Sequence, residues 1–360
     1  MNYQELTKDA ISLLKQLIET PSFSSEEDKT ASHIETWFKR YHIKYSRTKN
    51  NVWALNKYFD ESKPTLLLNS HHDTVKPNSA YTKNPFKATV ENGKLFGLGS
   101  NDAGGCLVSL IATFAYFYNH KNLKYNVVIV ASAEEESSGL NGLNSMLPII
   151  PKIDVAIVGE PTLMNLAVAE KGLVVFDAIV EGTPSHAAHP NNNNAIYNTI
   201  EVLKWFKNFK FEKTSDALGD VKLTVTQIHA GSQHNVVPAD VKLVIDVRVN
   251  DAYTNAEIAK ILQEKAPCKS ITPRSLRLNS SSIPINHDLV KAGIAMGRTT
   301  YGSPTLSDQA VLTCPSLKLG PGDSTRSHSA DEFIYINEIE EGINIYIELL
   351  NSVIVTTELK

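Results

Sequence analysis

The sequence predicts an α/β protein: a mostly parallel sheet with helices on both faces, interrupted by a smaller antiparallel α+β domain. Three observations point there. Short continuous apolar runs (Leu66-Leu67-Leu68, Val127-Val128-Ile129-Val130 and Val155-Ala156-Ile157-Val158) alternate with helix-periodic segments, as buried parallel strands do. Near Leu173 the texture changes to longer, half-buried alternating strands, and after about Ser282 the first pattern returns. At 360 residues the chain also exceeds one comfortable core, with roughly 100–200 residues expected per domain. The expected organisation is a discontinuous domain of residues 1–172 and 283–360, with residues 173–282 inserted as a lid.

Each element has its own signal. Leu6, Ala10, Leu13, Leu14, Leu17 and Ile18 recur at helical spacing, and Pro21 ends that helix. Ser24, with Glu27 three residues on, reads as a capping box for a second helix with Ile34, Trp37 and Phe38 on its apolar face. A strand leads into His71, and a long loop follows to Gly97-Leu98-Gly99-Ser100. The small residues Ala103-Gly104-Gly105 open a buried helix to about Tyr118. Two further strands run into Glu134 and Glu160. In the insert, strands are expected at 173–180, 223–229 and 241–249, with helices at 195–209 and 255–264. A helix at 288–299, a strand at 316–319 and a last helix opened by Asn337 and Glu340 complete the chain.

Composition narrows the partners. A hydrophobic share of 42% and a charged share of 21% suit an ordinary folded domain without a disorder signature. A formal charge of -4 gives no basic footprint, so no nucleic acid partner is expected. No apolar run approaches the roughly 20 residues that span a bilayer, so no membrane partner is expected. Met1-Asn2-Tyr3-Gln4-Glu5 lacks the basic and apolar regions of a signal peptide. Cys106, Cys268 and Cys314 are too few and too scattered for a disulfide framework, which fits a reducing, cytoplasmic location. Any metal site must then be built from His and carboxylates.

The chemistry-bearing residues sit where such a fold collects them. In open α/β sheets ligands bind beyond the carboxyl ends of the strands. The three apolar strands run into His71-His72-Asp73, Glu134-Glu135-Glu136 and Glu160. A two-metal hydrolase needs a bridging carboxylate, a His and a carboxylate for each metal, and a free carboxylate to handle protons. His71 offers an imidazole, and Asp73 can accept its other ring N–H. Asp102, between a glycine-rich loop and a helix start, is placed to bridge. One member of the Glu134–Glu136 cluster can bind metal while its neighbour stays free as a base. Glu160 adds a carboxylate and His328 a second imidazole. Each alone has a bland reading: Asp102 as a helix N-cap, three glutamates as a solvated face, His328 as a surface residue. Their order at successive strand ends favours a metallohydrolase.

That order resembles the acetylornithine deacetylase, succinyl-diaminopimelate desuccinylase and aminoacylase family of co-catalytic zinc hydrolases. The similar segments are Ser70-His71-His72-Asp73, Gly97-Leu98-Gly99-Ser100-Asn101-Asp102, Glu134-Glu135-Glu136, Gly159-Glu160-Pro161-Thr162 and His328-Ser329-Ala330-Asp331-Glu332, with Gly182–Pro190, Asn235-Val236-Val237-Pro238 and Asp246-Val247-Arg248 in the insert. Gly-Glu-Pro-Thr looks more like the deacetylase branch than the peptidase branches. The resemblance implies a zinc-hydrolase type fold whose insert serves as lid and dimerisation domain. It implies two divalent metal ions, zinc first with cobalt or manganese as alternatives. His71 and Glu160 would hold one, Glu136 and His328 the other, and Asp102 would bridge. Glu135 would be the base and Asp73 the support of His71. His186 would reach the site across a homodimer interface and stabilise an oxyanion, while Asn235 and Arg248 would hold the substrate carboxylate. A slipped register, with Glu134 as base and Glu135 as ligand, stays open. Two departures stand out: Leu98 replaces the family's usual Arg, and Ala103-Gly104 its usual Met-Lys pair.

The implied activity is amide hydrolysis of a small N-acyl amino acid, first among them N-acetyl- or N-succinyl-ornithine or acetylcitrulline, feeding arginine biosynthesis. The rivals are a metallo-exopeptidase for dipeptides or tripeptides and a catalytically silent metal-containing binding protein. A spare carboxylate beside a ligand argues against the last, because a structural metal needs none.

Overall fold

Alternation along buried strands sets the layers of the first unit. In the computed structural model, which describes residues 3–356, the strand Thr65–His71 is buried at every position. Leu66 and Leu68 join Val127, Ile129, Val155 and Ile157 on one face, while Leu67, Val128, Val130 and Ala156 form the core of the other. The first face is covered by the helices Tyr3–Ile18, Asp28–Arg40, Gly105–Phe117 and Ile336–Ile354. The second is covered more thinly, by Leu143, Met146 and Ile150 around the short helix Leu143–Met146.

The sheet is mixed, with a parallel centre. From one edge its strands run Tyr45–Thr48, Asn51–Leu55, Asn126–Ser132, Thr65–His71, Val155–Val158, Ser316–Lys318 and Leu166–Glu170. The four strands from Asn126–Ser132 to Ser316–Lys318 are mutually parallel. The flanking pairs are antiparallel. Register matters here: His71 sits opposite Ser132 and Asn69 opposite Val158, so His71, the 134–136 turn and Glu160 leave the sheet at one level.

A second, three-stranded sheet (Thr89–Glu91, Lys94–Phe96 and Phe333–Tyr335) goes beyond the sequence expectation. Phe333 pairs with Phe96, which brings the loop holding His328 against the glycine loop before Asp102. The expected capping box at Ser24 and Glu27 does not form. The helix starts at Asp28, and the Ser24 hydroxyl donates instead to Asp73 Oδ2 at 2.7 Å. The fully buried Glu27 carboxylate accepts from the Ser25 N–H (2.6 Å) and the Glu134 N–H (3.1 Å), two donors in left-handed turns without ladder partners. The last helix begins at Ile336 and is closed by Glu338, which accepts from the Tyr335 N–H at 3.1 Å, rather than by Asn337 and Glu340.

The two compact units divide differently from the sequence boundaries. The first holds residues up to Val168, Ser282–Tyr301 and the chain from Ser307 onward; the second is Ala169–Ser281 with Gly302–Leu306. The second unit is an antiparallel sheet in the order Lys222–Ala230, Asp240–Val249, Gly172–Glu181, Ser270–Pro273. Val174, Phe176, Ala178 and Val180 alternate into its core with Val241, Leu243 and Ile245, under the helices Ala195–Asn208 and Asn255–Lys265. Asn194 caps the first helix, accepting from the Ile196 N–H, and a Thr254–Glu257 capping box opens the second.

Candidate metal centre

The residues that the sequence places at strand ends meet around His71. Its side chain is 1% exposed, and its Nδ1 bonds to the Asp73 backbone carbonyl at 3.0 Å. The ring N–H on that side fixes the tautomer, leaving Nε2 as a lone-pair donor. Nε2 is buried and has no hydrogen-bond partner. It faces Asp102 Oδ1 at 3.4 Å, Glu160 Oε1 at 3.8 Å and Glu135 Oε2 at 3.9 Å. The other Asp102 oxygen, Oδ2, lies 3.6 Å from His328 Nε2, which is also 3.0 Å from Glu136 Oε2. One carboxylate thus stands between two imidazoles, each with its own further carboxylate. Ligand atoms of His71, Asp102 and Glu136 lie within 4.8 Å of one another, as do those of His71, Glu135 and Glu160.

Crowded charge dominates the electrostatics of this cluster. Burial, together with the charge of Asp102, pushes Glu160 up to about 8. Burial, with the charges of Glu160, Asp308 and Glu136, pushes Glu135 well above the usual carboxylate range against the pull of His71. The bond to Glu136 and the charges of Asp102 and Glu332 raise His328 to about 9. For His71, burial opposes the proton, but the nearby Asp102, Asp73 and Glu135 carboxylates outweigh it and raise the pKa. Buried carboxylates packed this closely raise one another's pKa and favour bound positive charge. An orphaned, buried imidazole nitrogen among oxygen donors fits divalent cations of the His-and-carboxylate type.

Asp73 plays a broader part than its expected role. Its carboxylate, 3.3 Å from His71 Nδ1, also accepts the Glu135 N–H and the Glu136 N–H, both at 3.1 Å. It thereby orients the turn that carries both glutamates. Glu134 points elsewhere. Its oxygens accept from the Ser25 hydroxyl (3.0 Å), the Asn141 N–H (3.1 Å) and the Asn141 amide (2.9 Å), under Gly139, where any Cβ would strike the carboxylate. Glu134→Ala should cost roughly 1–3 kcal/mol in a denaturant melt for its lost buried bonds, with unchanged metal content by elemental analysis. A loss of bound metal would instead favour the slipped register.

The departures at Leu98 and Ala103-Gly104 have local causes. Leu98 and Ala103 are buried, and a Cβ on Gly104 would lie 2.5 Å from the Gly99 carbonyl and 2.6 Å from Leu14. Gly99 itself holds φ +74°, a left-handed turn that glycine adopts freely. His72 is buried between the Thr30 hydroxyl (2.9 Å) and the Asn50 carbonyl (3.0 Å), and burial lowers it to about 4.

The other expected site residues lie in the second unit. His186 is exposed on a two-residue strand paired with Val236, and its Nδ1 accepts from the Ala188 N–H at 3.1 Å. Asn235 is exposed, and its carbonyl accepts from the Ala187 N–H at 2.9 Å. The Arg248 guanidinium is forked onto Asp246 of its own strand, at 2.9 and 3.1 Å. A substrate carboxylate would have to share it with Asp246.

Two carboxylates near the centre went unassigned in the sequence. Asp308 accepts from the Ser132 hydroxyl at 2.5 Å, and burial pushes it up to about 6. Glu332, 1% exposed, accepts backbone N–H groups next to Asp102, and burial and the Asp102 charge push it up to about 8. Glu332 closes the segment that begins with His328, a visible cue; Asp308 had none.

The model for peptidase family M20/M25/M40 matches residues 67–352. The chain belongs to that family. It is a metal-dependent hydrolase by membership, and the match spans every candidate ligand position of the first unit and all of the second unit. Among curated relatives, a succinyl-diaminopimelate desuccinylase from Rickettsia felis is 26% identical over 380 aligned residues, covering 96% of this chain and 100% of the relative. A crystal structure of an M20 family metallo-carboxypeptidase from Sulfolobus solfataricus superposes with a TM-score of 0.76 at 18% identity, covering 96% of this chain and 99% of that one. A dinuclear metal-binding peptidase of the same family from Bacillus subtilis gives 0.74 at 15% identity, covering 96% and 98%. These structures share the fold. Among the described residues, no helix is long and apolar enough to cross a membrane.

Proposed function

We propose that this M20 hydrolase cleaves the amide bond of a small N-acylated amino acid and releases the free amino acid. The observation that carries this reading is the Asp102 carboxylate set between His71 and His328, with Glu135 beside it and uncommitted to either imidazole at bonding distance. Two divalent cations, zinc by preference with cobalt or manganese as substitutes, would polarise the scissile carbonyl and acidify the attacking water when bound. His71, Glu160 and Asp102 would hold one; Glu136, His328 and Asp102 the other. Glu135 would take the proton of the attacking water and return it to the leaving amine. Its backbone N–H, fixed by Asp73, sets the carboxylate's position. In the second unit, Nδ1 of His186 is occupied as an acceptor, so Nε2 carries the ring proton and can donate to an oxyanion. Asn235 and Arg248 remain the candidates for a substrate carboxylate.

The substrate reading is an N-acyl diamino acid. N-acetyl- and N-succinyl-ornithine are the candidates from the motif resemblance, while the curated relatives carry the name succinyl-diaminopimelate desuccinylase and so favour a succinyl group. Acetylcitrulline is a candidate for the same motif reason. Dipeptide cleavage is the second reading, favoured by the carboxypeptidase named among the similar structures. Release of ornithine would place the chain in arginine biosynthesis. Three free cysteines support a reducing cytoplasm.

A homodimer through the second unit is part of the reading. The helix Ala195–Asn208 exposes Ile196, Tyr197 and Ile200, and the edge strand Lys222–Ala230 exposes Ile228. An open strand edge beside exposed apolar side chains is the kind of surface a second copy covers. Replacing both Tyr197 and Ile200 by Asp should convert a dimer to a monomer in sedimentation velocity. A monomeric wild-type chain at micromolar concentration would rule the dimer out.

A further inference from the structure

We infer that Glu332 is a positioning residue that sets the geometry of the second metal position, an inference resting on the two-metal reading above. Its carboxylate is 1% exposed and is spent on the loop that ends in Asp102: Oε1 accepts the Asn101 N–H at 2.8 Å and the Asp102 N–H at 2.9 Å, and Oε2 accepts the Gly99 N–H at 3.2 Å. The Glu332 carbonyl accepts the Gly97 N–H at 3.0 Å, so backbone and side chain grip the same turn from one residue. Four residues earlier on Glu332's own loop stands His328, held in a left-handed turn at φ 58°.

Glu332 therefore joins the loop carrying Asp102 to the loop carrying His328. A second tie runs alongside, where the Asn101 side chain exchanges bonds with the backbone of Asp323 at 3.0 and 3.1 Å. The consequence is asymmetric. The position of Glu136, His328 and Asp102 draws two of its three ligands from the loops that Glu332 joins. The position of His71, Glu160 and Asp102 draws only one, because His71 and Glu160 leave the ends of parallel strands. Backbone N–H groups in a dry turn need an acceptor, and a carboxylate satisfies several at once. A glutamine in its place keeps the Oε1 bonds but turns an NH2 group toward the Gly99 N–H, donor against donor.

The test is stepwise metal binding to the full chain, with Zn²⁺ titrated into the metal-free wild type, Glu332→Gln and Glu332→Ala by calorimetry, alongside thermal melts of each metal-free protein. Support is a second-site affinity weakened by roughly 10–100-fold in Glu332→Gln, with the first site within about threefold of wild type and kcat restored by excess metal. Unchanged affinity at both sites overturns the inference. So does an equal loss at both sites accompanied by a lowered metal-free Tm, which marks Glu332 as general support of the fold. A wild-type chain that binds fewer than two ions overturns the two-metal reading itself, and this inference with it.

Discussion

Glu135→Gln should lower kcat by about 10²–10⁴-fold while both metal ions stay bound and KM changes little. Glutamine keeps the size and polarity of the side chain but cannot accept the water's proton. Its backbone N–H still donates to Asp73, so the turn that carries Glu136 keeps its shape. Burial raises the Glu135 carboxyl above the usual carboxylate range, which favours it as a proton acceptor. Steady-state kinetics with elemental analysis decides the matter. Wild-type turnover in the variant would move the base elsewhere, and loss of metal would make Glu135 a ligand.

Asp102→Ala should remove both ions and turnover together, beyond the roughly 10–100-fold cost of an outer-shell change. Among the described residues, Asp102 is the one carboxylate that faces both imidazoles, with one oxygen toward each. A signature separates this from ordinary unfolding. Metal-free Asp102→Ala should melt no lower than the metal-free wild type, because the Asp102 charge sits against the buried Glu160 and Glu332 carboxyls and raises both. Added Zn²⁺ should raise the Tm of the wild type, by up to about 4 kcal/mol of linked stability at a thousandfold excess over Kd, and leave the variant unmoved. Differential scanning calorimetry with and without the ion reads both outcomes. A metal-dependent Tm rise in the variant would contradict the bridging role.

The clustering of these side chains is legible because three of the parallel strands carry continuous apolar runs, so each end is visible and the next polar side chains fall in the crevice. His71, Glu135, Glu136 and Glu160 follow from that pattern, and Asp102 from the glycine loop before it. Where each glutamate points depends on something local sequence does not carry. Glu134 is drawn off by Ser25 and Asn141, residues 109 and 7 positions away, which no spacing rule anticipates. The Ser24–Glu27 box fails for the same reason: Asp73 and the Glu134 N–H, brought in by the tertiary fold, outcompete the helix end. The three-residue strands around Phe96 and Phe333 are too short to leave a period, and their partners are far apart in sequence. The fork of Arg248 onto Asp246 was not legible either, because a strand pattern puts the two on one face without showing that they pair.

Membership fixes the class of reaction, and the substrate is what turnover must show. The most direct measurement is metal-reconstituted hydrolysis of N-acetyl- and N-succinyl-ornithine, acetylcitrulline, N-succinyl-diaminopimelate and several dipeptides, each with and without chelator. The expected result is chelator-sensitive release of a free amino acid from one or more N-acyl substrates, with dipeptides cleaved far more slowly. Efficient cleavage of dipeptides alone, or turnover that survives complete removal of metal, would contradict it.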